Sequence, residues 1–101
     1  MEELKPGRSV PLEISAGDQR NFSVRPQETR YYNFQTFGTS DSVLVLFEKA
    51  DGQLRFRRGA DDSGEDANAS MRIKLVKGRE YVMRLRLYHS ERPAEAAVMM
   101  W

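Results

Sequence analysis

Between residues 31 and 87 the chain runs through Tyr31-Tyr32-Asn33-Phe34, Asp41-Ser42-Val43-Leu44-Val45-Leu46-Phe47, Ala50-Asp51-Gly52, Asp61-Asp62-Ser63-Gly64, Asn68-Ala69 and Leu75-Val76-Lys77-Gly78-Arg79-Glu80-Tyr81-Val82-Met83-Arg84. Its apolar residues repeat every second position, the period of a strand with one buried face. Val43 to Phe47 is apolar at every position, as in a central strand covered on two sides or lying under a loop. Asp51-Gly52 supplies the positive-φ pair of a tight hairpin, after which Leu54 and Phe56 alternate with outward Arg55 and Arg57. Residues 59 to 69 show no alternation and are rich in Asp, Ser, Gly and Asn, the composition of a surface loop. Met71, Ile73 and Leu75, then Tyr81, Met83, Leu85 and Leu87, point inward as the two arms of a second hairpin.

The same period extends outward from this stretch. Val10, Leu12 and Ile14 alternate with polar neighbours, and Phe22 with Val24 forms a second short pair; both read as peripheral strands. Residues 29 to 36 place Tyr32 and Phe34 on one face. Ala96, Val98 and Met100 alternate with Ala97, Met99 and Trp101 after the break at Ser90-Glu91-Arg92-Pro93. Seven or eight short strands with regular turn signals predict an all-β, antiparallel, jelly-roll-like β-sandwich, with Val45, Phe47, Phe34, Ile73, Met83 and Leu85 buried. Neither a helix nor an internal repeat is legible.

A chain of 101 residues buries roughly 65% of its unfolded surface, enough for one core. The expectation is a single β-sandwich domain over residues 1 to 101, with residues 1 to 8 a flexible N-terminal segment. Sixteen Lys and Arg against fifteen Asp and Glu leave a net charge of +1, which argues against a general electrostatic grip on nucleic acid or anionic membrane. Without Cys there are no disulfides, thiolate metal sites or cysteine nucleophiles, and the redox compartment stays undecided. No apolar run approaches the about 18 residues of a membrane span, and Met1 to Gly7 lacks the apolar segment of a signal peptide.

In its order of features, the stretch from Tyr31 to Leu87 resembles the bacterial pre-peptidase C-terminal domain, a small β-sandwich appended to secreted peptidases and other exported enzymes. The matching residues are Asp41, Val43 to Phe47, Asp51-Gly52, Asp61-Asp62-Ser63-Gly64, Asn68-Ala69 and Leu75-x-x-Gly78-x-x-Tyr81. Ala60 stands where a third acidic residue would precede Asp61, and Val43 where some relatives carry Asp; both departures remove carboxylates. The resemblance implies an accessory module rather than a catalyst.

Three features are candidates for a site. Asp61, Asp62, Glu65 and Asp66 put hard oxygen donors on a Gly64-containing loop, the chemistry Ca²⁺ prefers, although the spacing is not that of an EF-hand. The alternative is a solvated loop whose Asp and Asn side chains set turns through their own backbone. The second candidate is basic. If Leu75 pairs with Tyr81, Ile73 with Met83 and Met71 with Leu85, then Lys74 faces Val82 and Arg72 faces Arg84 on the outer side, with Arg86 one step beyond. Arg55 and Arg57 extend this cationic strip if the sheet order lets them adjoin. The strip reads either as a salt-laced solvated face or as a surface for an acidic protein or polysaccharide. Like charges facing each other destabilise a pair, so on this register Arg84→Thr leaves stability unchanged or slightly raised. The third candidate is aromatic: Tyr31, Tyr88 and Trp101 lie opposite their inward neighbours, where such rings more often cover a sheet edge than bind. His89 reads as a surface residue with no partner for catalysis.

Two functions follow. One is a non-catalytic accessory module assisting targeting, maturation or binding of an exported peptidase or other enzyme to an extracellular polymer or protein, and therefore extracellular or periplasmic. The other is a standalone interaction or assembly subunit that docks an acidic partner through the basic strip and is compatible with the cytoplasm. A reading frame continuing into a peptidase domain behind a signal peptide separates the first from the second. Neither needs nucleic acid or a membrane span. Calcium held by Asp61, Asp62, Glu65 and Asp66 stabilises the folded state by mass action. The melting temperature is then higher in millimolar Ca²⁺ than in chelator; identical melts leave the loop a structural connection.

Overall fold

The computed structural model describes residues 1–14, 19–38, 42–60, 68–87 and 94–101. Among these residues the two-residue period becomes nine strands. They are β1 (Glu2–Leu4), β2 (Ser9–Ile14), β3 (Gln19–Val24), β4 (Arg30–Gly38), β5 (Ser42–Ala50), β6 (Gln53–Ala60), β7 (Ser70–Leu75), β8 (Glu80–Leu87) and β9 (Ala94–Met100). They build two sheets, one in the order β1-β3-β8-β5-β6 and the other β2-β9-β4-β7. All strand pairings in the two sheets are antiparallel except that of β1 with β3. The fold is an all-β sandwich.

Inward positions meet in one buried layer. The four-stranded sheet contributes Val10, Leu12, Tyr32, Phe34, Met71, Ile73, Leu75, Val98 and Met100; the five-stranded sheet contributes Leu4, Phe22, Val24, Leu44, Leu46, Tyr81, Met83 and Leu85. Near the N-terminus, Glu2–Leu4 form β1, whose Leu4 is 2% exposed. Further along, the Gly7 amide donates to the Met100 carbonyl at 2.8 Å. A three-residue strand with one apolar side chain has no period to read. β3 is not peripheral, since it lies between β1 and β8. Within β5 the inward residues are Leu44 and Leu46, whereas Val45 and Phe47 face outward and are half-buried.

The larger correction concerns connectivity. Among the described strands only β5 and β6 form a hairpin within one sheet; the other successive strands belong to opposite sheets. That hairpin turns on Asp51 and Gly52, whose φ angles of 54° and 75° are the left-handed pair the tight turn requires. β7 does not pair with β8. Leu75 lies opposite Arg30 in one sheet, while Tyr81 lies opposite Val24 and Glu48 in the other. The Leu75-x-x-Gly78-x-x-Tyr81 segment is therefore an arch across the core. Its turn is closed by the Arg79 amide donating to the Val76 carbonyl at 3.1 Å, with Gly78 at φ 87°. The Tyr81 hydroxyl accepts from the Val76 amide at 3.1 Å. Thr29 Oγ1 accepts from the Lys77 amide at 2.9 Å and ties the arch to the start of β4.

At the opposite end a buried polar knot joins the sheets. Thr36 and Ser42 are buried with their hydroxyl oxygens 2.7 Å apart, and Thr36 Oγ1 accepts from the Ala69 amide at 2.8 Å. The Thr36 amide in turn donates to the Ala69 carbonyl at 2.9 Å. Ser42 from the hydroxyl-rich segment and Ala69 from the Asn68-Ala69 pair, apart in sequence, thus meet at one hydroxyl.

Leu85 is fully buried between the sheets, so Leu85→Ala should cost about 2 to 5 kcal/mol in denaturant unfolding. Thr36→Val keeps the shape but removes the bond to Ser42 and takes the hydroxyl acceptor away from the buried Ala69 amide, with an expected loss of about 1 to 3 kcal/mol. A Thr36→Val protein as stable as the parent would show that this knot contributes nothing.

Candidate functional site

The edges where β6 and β7 end their sheets decide where the cations go. β6 pairs on one side with β5, and the register slips between Leu46 and Phe47: Leu46 faces Arg58, Phe47 faces Phe56, and Arg57 has no partner. Arg57 is a β-bulge residue, and such an insertion re-aims side chains and reverses the parity of those beyond it. Leu54 and Phe56 consequently share the outer face with Lys49 and Phe47, and they are 44% and 64% exposed instead of inward. Arg55 and Arg58 take the inner parity at the sheet margin. Arg58 reaches across to the other sheet, donating from a terminal guanidinium nitrogen to the Arg72 carbonyl at 2.6 Å.

This contact spans a cleft of about 310 Å³ lined by Tyr31, Phe56, Arg57, Arg58, Ile73 and Lys74. Ile73 is a buried side chain along its lining; Tyr31, 55% exposed, and Phe56 are rings on opposite sides of the seam. The Arg72 guanidinium sits 5.0 Å from the Tyr31 ring centre, an arrangement that adds a cation beside the cleft. Among the described residues no acidic side chain lines it, and neither Arg57 nor Lys74 lies within ion-pair distance of a carboxylate. A second cleft of about 270 Å³ near Leu4 and Tyr32 differs in this respect. There Arg30 pairs with Glu28 at 3.6 Å and Arg25 with Glu80 at 3.4 Å, so its charges largely cancel.

The sequence-derived basic strip is divided by the fold. Arg72 and Lys74 lie on β7 opposite Asn33 and Tyr31; Arg84 and Arg86 lie on β8, in the other sheet, opposite Asn21 and Gln19. Arg72 and Arg84 do not face each other, because β7 and β8 are not partners. Arg84 donates from Nε to Asn21 Oδ1 at 2.9 Å and lies 4.8 Å from the Phe47 ring centre. Together with Phe56, whose ring meets Phe47 edge-on at 6.5 Å and 79°, it covers the outer side of β5. Arg55 pairs with Asp51 at 3.7 Å in the open. Arg57 and Lys74 alone of the six join in lining the cleft. Arg58 and Phe56 complete it; both were missed, because the bulge that reverses their parity leaves no mark in the alternation. The four proposed calcium ligands, Asp61, Asp62, Glu65 and Asp66, lie outside the described residues, as do Tyr88 and His89. Among the described residues no three His, Cys, Asp or Glu gather as a metal site would require.

In solved structures this architecture recurs. The chain superposes on the pre-peptidase C-terminal domain of collagenase from Bacillus anthracis with a TM-score of 0.76, covering 99% of this chain and 93% of that one at 9% sequence identity. The fold is that of a pre-peptidase C-terminal domain. No protein-family model matches the chain, and no curated protein matches it. No helix of the described residues is long and apolar enough to cross a membrane.

The Arg84 contacts reverse the expectation drawn from sequence for its substitution. Arg84→Thr removes the bond to Asn21 and uncovers Phe47, and should lower stability by about 1 kcal/mol in urea unfolding. A midpoint equal to or above that of the parent would contradict the contribution assigned to these contacts.

Proposed function

We propose that this chain is a non-catalytic accessory module of an exported peptidase or other enzyme, and that its cationic cleft holds an acidic protein or extracellular polymer. The observation that carries the reading is the cleft between β6 and β7. Arg57, Arg58 and Lys74 stand together there without a carboxylate among the described lining residues, and Tyr31 and Phe56 offer exposed rings beside them. Cations that meet no carboxylate among the described residues, set next to apolar surface, present charge for steering and apolar area for affinity. The fold shared with the collagenase domain supports the accessory role, since that domain is itself part of a larger enzyme.

Poly-glutamate is a direct probe. The protein should bind it at low ionic strength, more weakly as salt rises through physiological strength, because the Debye length shortens to about 8 Å at 0.15 M. The double variant Arg57→Ser, Lys74→Ser should lose about tenfold or more in affinity while its melting temperature stays near that of the parent. Failure to bind, or equal binding by the double variant, would overturn the assignment of the cleft.

A further inference from the structure

We infer that the acidic partner binds as an added β-strand along the free edge of β6, as an extended peptide with acidic and apolar residues at alternate positions. The inference rests on the acidic-partner reading above and specifies the partner's chemistry. β6 is the last strand of its sheet, and among the described residues no strand pairs with its second side. Seven of its eight residues are exposed and none is proline. A row of backbone donors and acceptors left open in this way is a template for another strand.

The side chains of β6 define what such a strand carries. Its outer-face positions are Leu54 and Phe56, continuous with Phe47; its inner-parity positions are Arg55 and Arg58. Side chains of paired strands meet on the same face, so residues opposite Leu54 and Phe56 are apolar and those opposite Arg55 and Arg58 acidic. The bulge at Arg57 restores simple alternation in the partner, because the partner counts one residue against Phe56-Arg57. The added strand lies on the cleft side of β6, where Arg57 and Lys74 supply further positive charge. A second copy of this chain does not fit. Pairing β6 with β6 brings Arg55, Arg57 and Arg58 of two copies against one another, and like charges directly opposite are destabilising.

The test uses the whole chain and three synthetic eight-residue peptides: Glu alternating with Val, the same residues in block order, and the alternating peptide with N-methyl groups on every second amide. Affinity is read by fluorescence anisotropy and β6 amide protection by hydrogen exchange. The alternating peptide should bind at least about tenfold more tightly than either control and should slow exchange in β6. Equal affinity for alternating and block peptides without β6 protection would overturn strand addition, while leaving poly-glutamate binding and the cleft assignment intact. Loss of poly-glutamate binding as well would overturn both. Charge reversal supplies the specificity arm: Arg55→Glu should weaken the Glu-Val peptide and recover binding to a peptide in which Lys replaces the Glu opposite position 55. A variant that folds with the parent melting temperature but shows no such exchange of preference would contradict the register.

Discussion

The buried layer between the two sheets is the constraint on which every other feature depends. Because all successive strands except β5 and β6 belong to opposite sheets, neither sheet forms as a local meander. Leu75 and Tyr81 point inward from opposite sheets on either side of the Gly78 turn, and Thr36, Ser42 and Ala69 meet at the other end. Non-polar burial supplies the drive. Among the described residues no buried side-chain nitrogen or oxygen lacks a partner. The hydroxyls at Thr36 and Ser42 show how that is achieved where chain segments cross the open end of the core.

The clefts arise where this layer runs out. At the margin formed by β6 and β7, Ile73 lines the cleft and the exposed Arg58 guanidinium reaches the Arg72 carbonyl. Cations and a bulge at such a margin also discourage two copies from pairing edge to edge. The same features that protect the margin give it a charge and a shape that an acidic strand can complement. Protection from self-association and selection of a partner are thus two consequences of one arrangement.

The sequence made the faces legible but not the partners. Alternation correctly placed Tyr32, Phe34, Ile73, Met83 and Leu85 inward, since one side of every strand must meet the same core. It could not distinguish the β7–β8 arch from a hairpin, because both turn at Gly78 and keep Leu75 and Tyr81 inward. Only cross-strand pairing separates them, and that depends on residues as distant as Arg30 and Val24. The continuous run Val43 to Phe47 correctly indicated cover on both faces. That cover comes from Arg84 and Phe56, which no local pattern identifies. At the site, Arg57 and Lys74 were legible as outward cations. The contribution of Arg58 and Phe56 was hidden by a single unpaired residue, because a bulge changes which way later side chains point without changing their spacing.

The cleft exists only if β7 is an edge strand beside β6 and not one arm of a hairpin with β8. Cross-strand nuclear Overhauser contacts in the labelled protein decide this directly. Contacts joining Asn33 with Arg72 and Asn21 with Arg84 are the result that the two-sheet arrangement predicts. Contacts joining Arg72 with Arg84 would place β7 and β8 in one ladder, remove β7 from the β6 margin and contradict the account.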